Sequence, residues 1–344
     1  FFIFMAIGIL ILGPMSDKYG RKPVLIASIS ISMIFSAACA FMPNITLLIV
    51  ARAASAFGAG GMVAISTALI KDSYEGKEMS KVLSVTQAFM LIAPMLAPVL
   101  GAIILKVADW KMTFIVLAIL TGVSLVGAFL LQETLPVKER TQSSTIQTIL
   151  GLRKVAKNPN FSSLLLVGAL IAAPFMAYLA LASYIYIDGF GVSETTFSMY
   201  FALNAGASIL GPVMYMRFGA GSVKKVISAG IMVAIISAIL ILTIGNASPI
   251  IFLLSYVLYS IMTSYFRPLI SDLLLSATKT DVGATSSVMN FVFTVIGSIG
   301  MVVGSLQWSS YTGGLGITML IFIALTMIVW LYLLKAKSIR FDWK

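Results

Sequence analysis

Of the 344 residues, 60% are hydrophobic and 10% charged, far below the roughly one quarter charged in soluble domains, so the chain reads as an integral membrane protein. The net charge of +11 does not point to nucleic acid, because the basic residues fall in short loops between apolar runs rather than along one face. With no histidine and a single cysteine, Cys39, the sequence excludes a disulfide framework, a cysteine metal site and a histidine proton relay, and it leaves most enzyme classes without their usual general base.

The chain opens at Phe1 inside an apolar run of about a dozen residues, short of the roughly twenty that a helix needs to cross a bilayer, and is read as truncated at its N-terminus. Gly13-Pro14 is expected to end that run. The stretch Gly13-Pro-Met-Ser-Asp17-Lys-Tyr-Gly20-Arg21-Lys22-Pro23 then gathers turn residues and four charges, which predicts a tight loop at a membrane surface. Runs of span length follow near Pro23 to Phe41, Ile45 to Ile70, Val82 to Leu105 and Met112 to Leu131. A polar stretch, residues 132–160, separates them from a second set near Phe161 to Ile187, Phe197 to Met216, Val226 to Ile244, Ile250 to Ser271, Gly283 to Leu306 and Gly314 to Leu334. With the opening run this makes an all-α polytopic protein of eleven spans, five and then six.

Alternate loops differ sharply in charge. One set, which includes Lys18, Arg21, Lys22, Lys71, Arg153, Lys224 and the tail, carries nearly all the Lys and Arg of the loops; the other holds only Lys106 and Lys111. By the positive-inside bias the first set, and with it the C-terminus, is cytoplasmic. A weak internal repeat accompanies this pattern: Gly211-Pro212 stands in the second half where Gly13-Pro14 stands in the first, with Tyr215 in the place of Asp17.

Arg52 lies about seven residues into an apolar run, a depth of roughly 10 Å at 1.5 Å per residue. A guanidinium so placed usually faces a cavity or a partner along a transport path. Pro94 and Pro98 in one spanning helix remove two backbone donors and favour a bend, and Gly101 follows them. The glycines at 297, 300 and 304 include a G-x-x-x-G pair, a sign of close helix packing. No Asp or Glu lies deep within a complete span.

The spacing G-x-x-x-D-x-x-G-R-K resembles the loop between the second and third spans of major facilitator superfamily transporters. The resemblance implies two six-helix halves, here 1–131 without its first span and 161–344, joined by a cytoplasmic linker at 132–160. It assigns Gly13, Asp17, Gly20, Arg21 and Lys22 to a gating motif. The surroundings of Arg52 are similar to the fourth-span motif of the superfamily, with Ser55 and Ala56 in place of its Gln and Gly, which puts Arg52 on the proton or substrate path. Ala93-Pro94-Met-Leu-Ala97-Pro98-Val-Leu-Gly101 resembles the fifth-span antiporter motif in the form used by Bcr/CflA drug:proton antiporters. The resemblance implies a monomeric carrier in a bacterial inner membrane that exports lipophilic or cationic compounds against protons. Neither a cofactor, a metal nor a catalytic residue is expected, and the proton-carrying acid is expected in the first span. Tyr178, Asn204, Tyr259 and Asn290 are possible substrate contacts in cavity-forming helices. A same-fold carrier of sugars, amino acids or other metabolites is the alternative, and a membrane enzyme or structural subunit the alternative of another class.

Overall fold

The computed structural model describes residues 1–74, 100–140, 159–218, 222–277 and 282–335, with isolated positions from 78 to 97. The described chain is helical, without strands. Eleven helices are α1 (Phe2–Tyr19), α2 (Arg21–Cys39), α3 (Ile45–Ser73), α4 (Trp110–Leu130), α5 (Pro159–Ser183), α6 (Glu194–Ser208), α7 (Leu210–Phe218), α8 (Val223–Ile244), α9 (Pro249–Ala277), α10 (Val282–Gly304) and α11 (Tyr311–Lys335). Among the described residues nine segments are long and apolar enough to cross a membrane, and the apolar run Val288–Gly304 is shorter. The run expected at Val82 to Leu105 is described mainly from residue 100 onward, and most of the 132–160 linker lies outside the described residues.

Polar side chains start these helices and are absorbed within them. Asn44 accepts from the Leu47 amide at 2.9 Å to cap α3, and Ser193 accepts from the Thr196 amide at 3.2 Å to cap α6. Inside the apolar segments hydroxyls bond one turn back, as Ser28 does to the Val24 carbonyl at 2.7 Å and Thr318 to the Gly314 carbonyl at 2.7 Å. That removes the cost of a bare hydroxyl where no water is at hand.

The chain divides into two compact units. The first comprises Phe1–Met90, Ile103–Lys154 and Gly283–Thr294, and the second Leu91–Ala102, Val155–Val282 and Val295–Lys344. In the first unit α1 and α2 pack on α3, and α2 also on α4, around Leu12, Val24, Leu25, Ile29, Ile65 and Ala128. In the second, α9 is packed by α5, α6, α7 and α8, and α11 lies on α5 and α8. Small residues set the close approaches: a methyl at Gly300 would stand 2.5 Å from the Ala173 carbonyl oxygen of α5, so the glycine spacing read from sequence is a packing seam.

Two expectations about turns are corrected. Gly13-Pro14 does not end the first helix, which runs on through Pro14 to Tyr19. Pro14 has no N–H for the Leu10 carbonyl, a loss that a membrane helix tolerates, and just beyond it Ser16 Oγ donates to the Gly13 carbonyl at 2.7 Å. Nor does Gly211-Pro212 end a helix. The break comes before it, at Ile209, where Pro212 has no N–H for the Ser208 carbonyl, and α7 continues to Phe218. The other irregularity is a π-helical turn, Tyr184–Gly189, closing α5.

Candidate functional site

The turn between α1 and α2 is a single residue. Gly20 adopts φ 105°, a conformation that costs glycine nothing, and Arg21, Lys22 and Pro23 open α2 directly behind it. A side chain at Gly20 would also intrude on Glu133 and on Arg140, whose Nη2 stands 2.8 Å from the added carbon. Glycine is therefore needed twice, for the turn and for the carboxylate that closes over it.

That carboxylate caps α2. Glu133 Oε1 accepts from the Arg21 amide at 2.9 Å and Oε2 from the Lys22 amide at 3.3 Å, which places a negative charge on the positive end of the helix. Oε1 also accepts from its own Leu135 amide at 3.1 Å, while Arg140 Nη2 lies 3.7 Å from Oε2. Lys22 Nζ donates to the Phe129 carbonyl at 2.8 Å, a cation at the last turn of α4. Glu133→Gln keeps the shape and removes the charge; it is expected to destabilise the first unit by about 0.5–1 kcal/mol, read as a lowered melting temperature in detergent.

The Arg21 side chain folds back beneath the turn and is only 9% exposed. Its Nη1 meets the Asp17 carboxylate one turn earlier and donates to Ser16 Oγ at 2.8 Å, and its Nε donates to Asp72 Oδ2 at 2.8 Å near the end of α3. Thr134 Oγ1 reaches the same Asp72 oxygen at 3.5 Å. Arg21 thus ties α1, α2 and α3 together, and Glu133 adds the segment after α4. The structure places Asp17, Gly20, Arg21 and Lys22 in one cluster at the end of α1 and the start of α2, with Gly13 one turn earlier within α1. It adds Ser16, Asp72, Glu133 and Arg140, which sequence reading did not single out, although Asp72 and Glu133 are visible as acids flanking apolar runs.

Arg52 stands apart, in α3. Its guanidinium carbon lies 4.4 Å over the Phe1 ring and 5.4 Å from the centre of the Phe114 ring on α4. No carboxylate comes within 4 Å of it among the described residues. One turn on, buried Ser55 shares a 2.8 Å hydrogen bond with Ser36 of α2. Pro94 and Pro98 lie outside the described residues; a methyl at Gly101 would meet nothing within 4 Å among them.

The second unit repeats part of this arrangement with different chemistry. Tyr215, four residues after Gly211 as Asp17 is after Gly13, donates its hydroxyl to Asp272 Oδ2 of α9 at 2.5 Å, with its ring edge-on to Tyr265. The carboxylate absent at 215 is supplied from α9. Tyr215→Phe is expected to cost about 1 kcal/mol, because this charge-assisted bond is exposed, and Asp272→Asn should add little once the hydroxyl is gone. The single and double variants compared by thermal unfolding provide the test.

Of the four possible substrate contacts, Tyr178, Asn204 and Tyr259 fall in the second unit and are buried. The Tyr259 hydroxyl is committed to the Ile171 carbonyl of α5, beside the carbonyl that Pro174 deprives of its helical donor. Asn290 belongs to the part of α10 grouped with the first unit, and its carbonyl accepts from Thr294 at 2.6 Å.

Known proteins share this chain's pattern. The family model described as Major Facilitator Superfamily matches residues 1–301. An uncharacterized MFS-type transporter, YdgK of Bacillus subtilis, is 34% identical over 244 residues, which cover 70% of this chain and 60% of that relative's length. The multidrug resistance protein MdtM of Escherichia coli is 25% identical over 312 residues, 88% of this chain and 75% of MdtM. Among solved structures, a D-xylose-proton symporter superposes with a TM-score of 0.75 at 15% identity, covering 96% of this chain and 84% of the symporter.

Proposed function

The chain belongs to the Major Facilitator Superfamily, and we propose that within it the protein is a proton-coupled exporter of lipophilic or cationic small molecules, of the Bcr/CflA type, working as a monomer in a bacterial inner membrane by alternating access. In this reading residues 1–131 and 161–344 are the two moving halves, 132–160 is their cytoplasmic linker, and the C-terminus is cytoplasmic. The transporter activity needs no catalytic residue and no cofactor.

The observation that carries the mechanism is the buried Arg21 held by Asp17 and Asp72. An ion pair of this depth is weak evidence for stability but a good conformational latch, since it is favourable only while every partner is in place. Gly20 makes its turn, Lys22 ties the start of α2 to α4, Gly13 stands one turn before Asp17 within α1, and Arg52 is the counter-charge on the proton and substrate path. Pro94, Pro98 and Gly101 make up the antiporter-type motif; of the four candidate substrate contacts, Tyr178, Asn204 and Tyr259 are buried and would meet cargo only in another state of the cycle, and Asn290 is half-buried. The cargo is inferred from likeness to MdtM, whose name gives multidrug resistance. The likeness to the xylose symporter shows the fold alone, so a sugar carrier is not favoured by it.

The full-length protein, purified into proteoliposomes with an acidic lumen, should accumulate a lipophilic fluorescent cation, and a protonophore should abolish the uptake. Accumulation only when the lumen is alkaline would mean that proton and cargo travel together, and the antiport reading would be replaced by symport.

A further inference from the structure

Within the second unit, among α5, α6 and α9, six polar atoms are buried without a hydrogen-bond partner among the described residues: the hydroxyls of Tyr178, Tyr186, Tyr256, Ser260 and Thr263, and Oδ1 of Asn204. All six side chains are nine-tenths buried or more. The Tyr178 hydroxyl lies beside that of Tyr186, the Tyr256 hydroxyl beside that of Ser260 and the Tyr259 hydroxyl beside that of Thr263, so the polar atoms of the cluster are within mutual reach. Native interiors leave few such groups unpaired, and six in one place would offset much of the net stability of a domain. Where a partner is offered in this region it is used, as Tyr259 shows with the Ile171 carbonyl.

The packing of the rings limits what the partner can be. Tyr178 stacks on Tyr256 with centroids 4.0 Å apart and on Phe201 at 5.7 Å, and Tyr186 stacks on Tyr200 at 5.2 Å. With their faces engaged by neighbouring rings, these tyrosines are not open to a flat aromatic guest or to a cation seeking a π face. Their oxygens are what remains, together with Ser260 and Thr263 at successive turns of α9 and Asn204 one turn from Phe201 on α6. A small molecule that both donates and accepts, as water does, would complete the hydrogen bonding of the whole set, Asn204 Oδ1 included. A buried water typically makes about three hydrogen bonds, so six groups call for about two. Tyr186 lies in the π-helical turn Tyr184–Gly189, a type of irregularity frequent at functional positions.

We propose that this cluster is a built hydration site, in which ordered water bridges α5, α6 and α9 through Tyr178, Tyr186, Tyr256 and Asn204. Bridging through water lets the seam between three helices be remade one hydrogen bond at a time, which a directly interlocked seam does not allow. The proposal rests on the packing of one unit and is independent of what the chain transports.

The test uses the whole purified chain in detergent. Millisecond radiolytic labelling in ¹⁸O water, read by mass spectrometry, should modify Tyr178, Tyr186 and Tyr256 despite their burial, with an oxygen that exchanges with bulk more slowly than at exposed Tyr184. Tyr178→Phe and Tyr256→Phe keep the rings and remove the oxygens, and each should lower the melting temperature by a few degrees, because a bridging water loses a ligand. An unlabelled cluster, label at bulk exchange rates, or Phe variants that melt higher than the parent would show that the hydroxyls are dry and overturn the proposal; the labelling of the unaltered chain decides the matter if the variants fail to fold.

Discussion

Arg21→Ala is expected to leave a folded but inactive transporter, with the first unit destabilised by roughly 2–3 kcal/mol. Removing one member of a buried ion pair costs about 3–5 kcal/mol, because the partners stay buried without their counter-charge. The figure is discounted because the Asp17 side chain is 37% exposed, so water screens that arm, whereas Asp72, at 18%, is shielded better. The two carboxylates should separate in their effects. Asp72→Asn should lower stability more than Asp17→Asn, while Asp17→Asn should abolish export at normal membrane expression if the latch gates transport. Lysine at 21 keeps the charge but loses the fork that reaches Asp17, Ser16 and Asp72 at once, so it should recover part of the stability and little of the transport. The checks are thermal unfolding in detergent and dye export from vesicles. Parent-like export by Arg21→Ala would remove the cluster from the mechanism.

How much of this cluster could be read from the sequence follows from distances along the chain. Arg21 and Asp17 are four residues apart, so helical geometry alone puts them on one face, and their pairing is legible once the helix is known to continue. The same charges and glycines that made the stretch look like a loop hid that continuation. The real turn needs only Gly20, whose positive φ no composition signal distinguishes from the αR conformation of Gly13. Asp72 and Glu133 lie 51 and 112 residues from Arg21, and nothing local marks them as its partners; they meet it because α3 and the end of α4 pack beside α2. In the second half the loss of a carboxylate at Tyr215 was visible, but its replacement by Asp272, 57 residues on, was not. The apolar periods gave the helices because lipid requires every backbone group to be satisfied within its own segment. Which tyrosines bury their oxygens depends on three helices at once, and so it stays hidden until they are packed.

The second large effect is expected at Arg52, where Arg52→Ala should abolish the dependence of export on the proton gradient while leaving the chain stable. The insertion cost of an arginine at mid-membrane is roughly 3 kcal/mol. The rings of Phe1 and Phe114 return only about 1–2 kcal/mol through their π faces, so local packing does not account for keeping a charge there. The remainder is explained if a carboxylate comes beside Arg52 during the cycle. The guanidinium then favours the ionised acid, and a proton or a cationic substrate competes with it for that acid, which is enough to couple the two without contact between them. The sign follows: with Arg52 present the acid releases its proton readily, and export should fall as the pH on the proton-supplying side rises. With alanine the acid holds its proton, so the pH profile should flatten and the rate drop by at least tenfold, which corresponds to about 1.4 kcal/mol of lost coupling. Lysine at 52 should keep a shallower profile, and Phe114→Leu, which removes one ring but keeps apolar volume, should change the rate by no more than about fivefold. Dye export from proteoliposomes of the restored full-length protein, measured against external pH for the four proteins, is the experiment. A parent-like pH profile in Arg52→Ala would make Arg52 a packing residue held by its two phenylalanines.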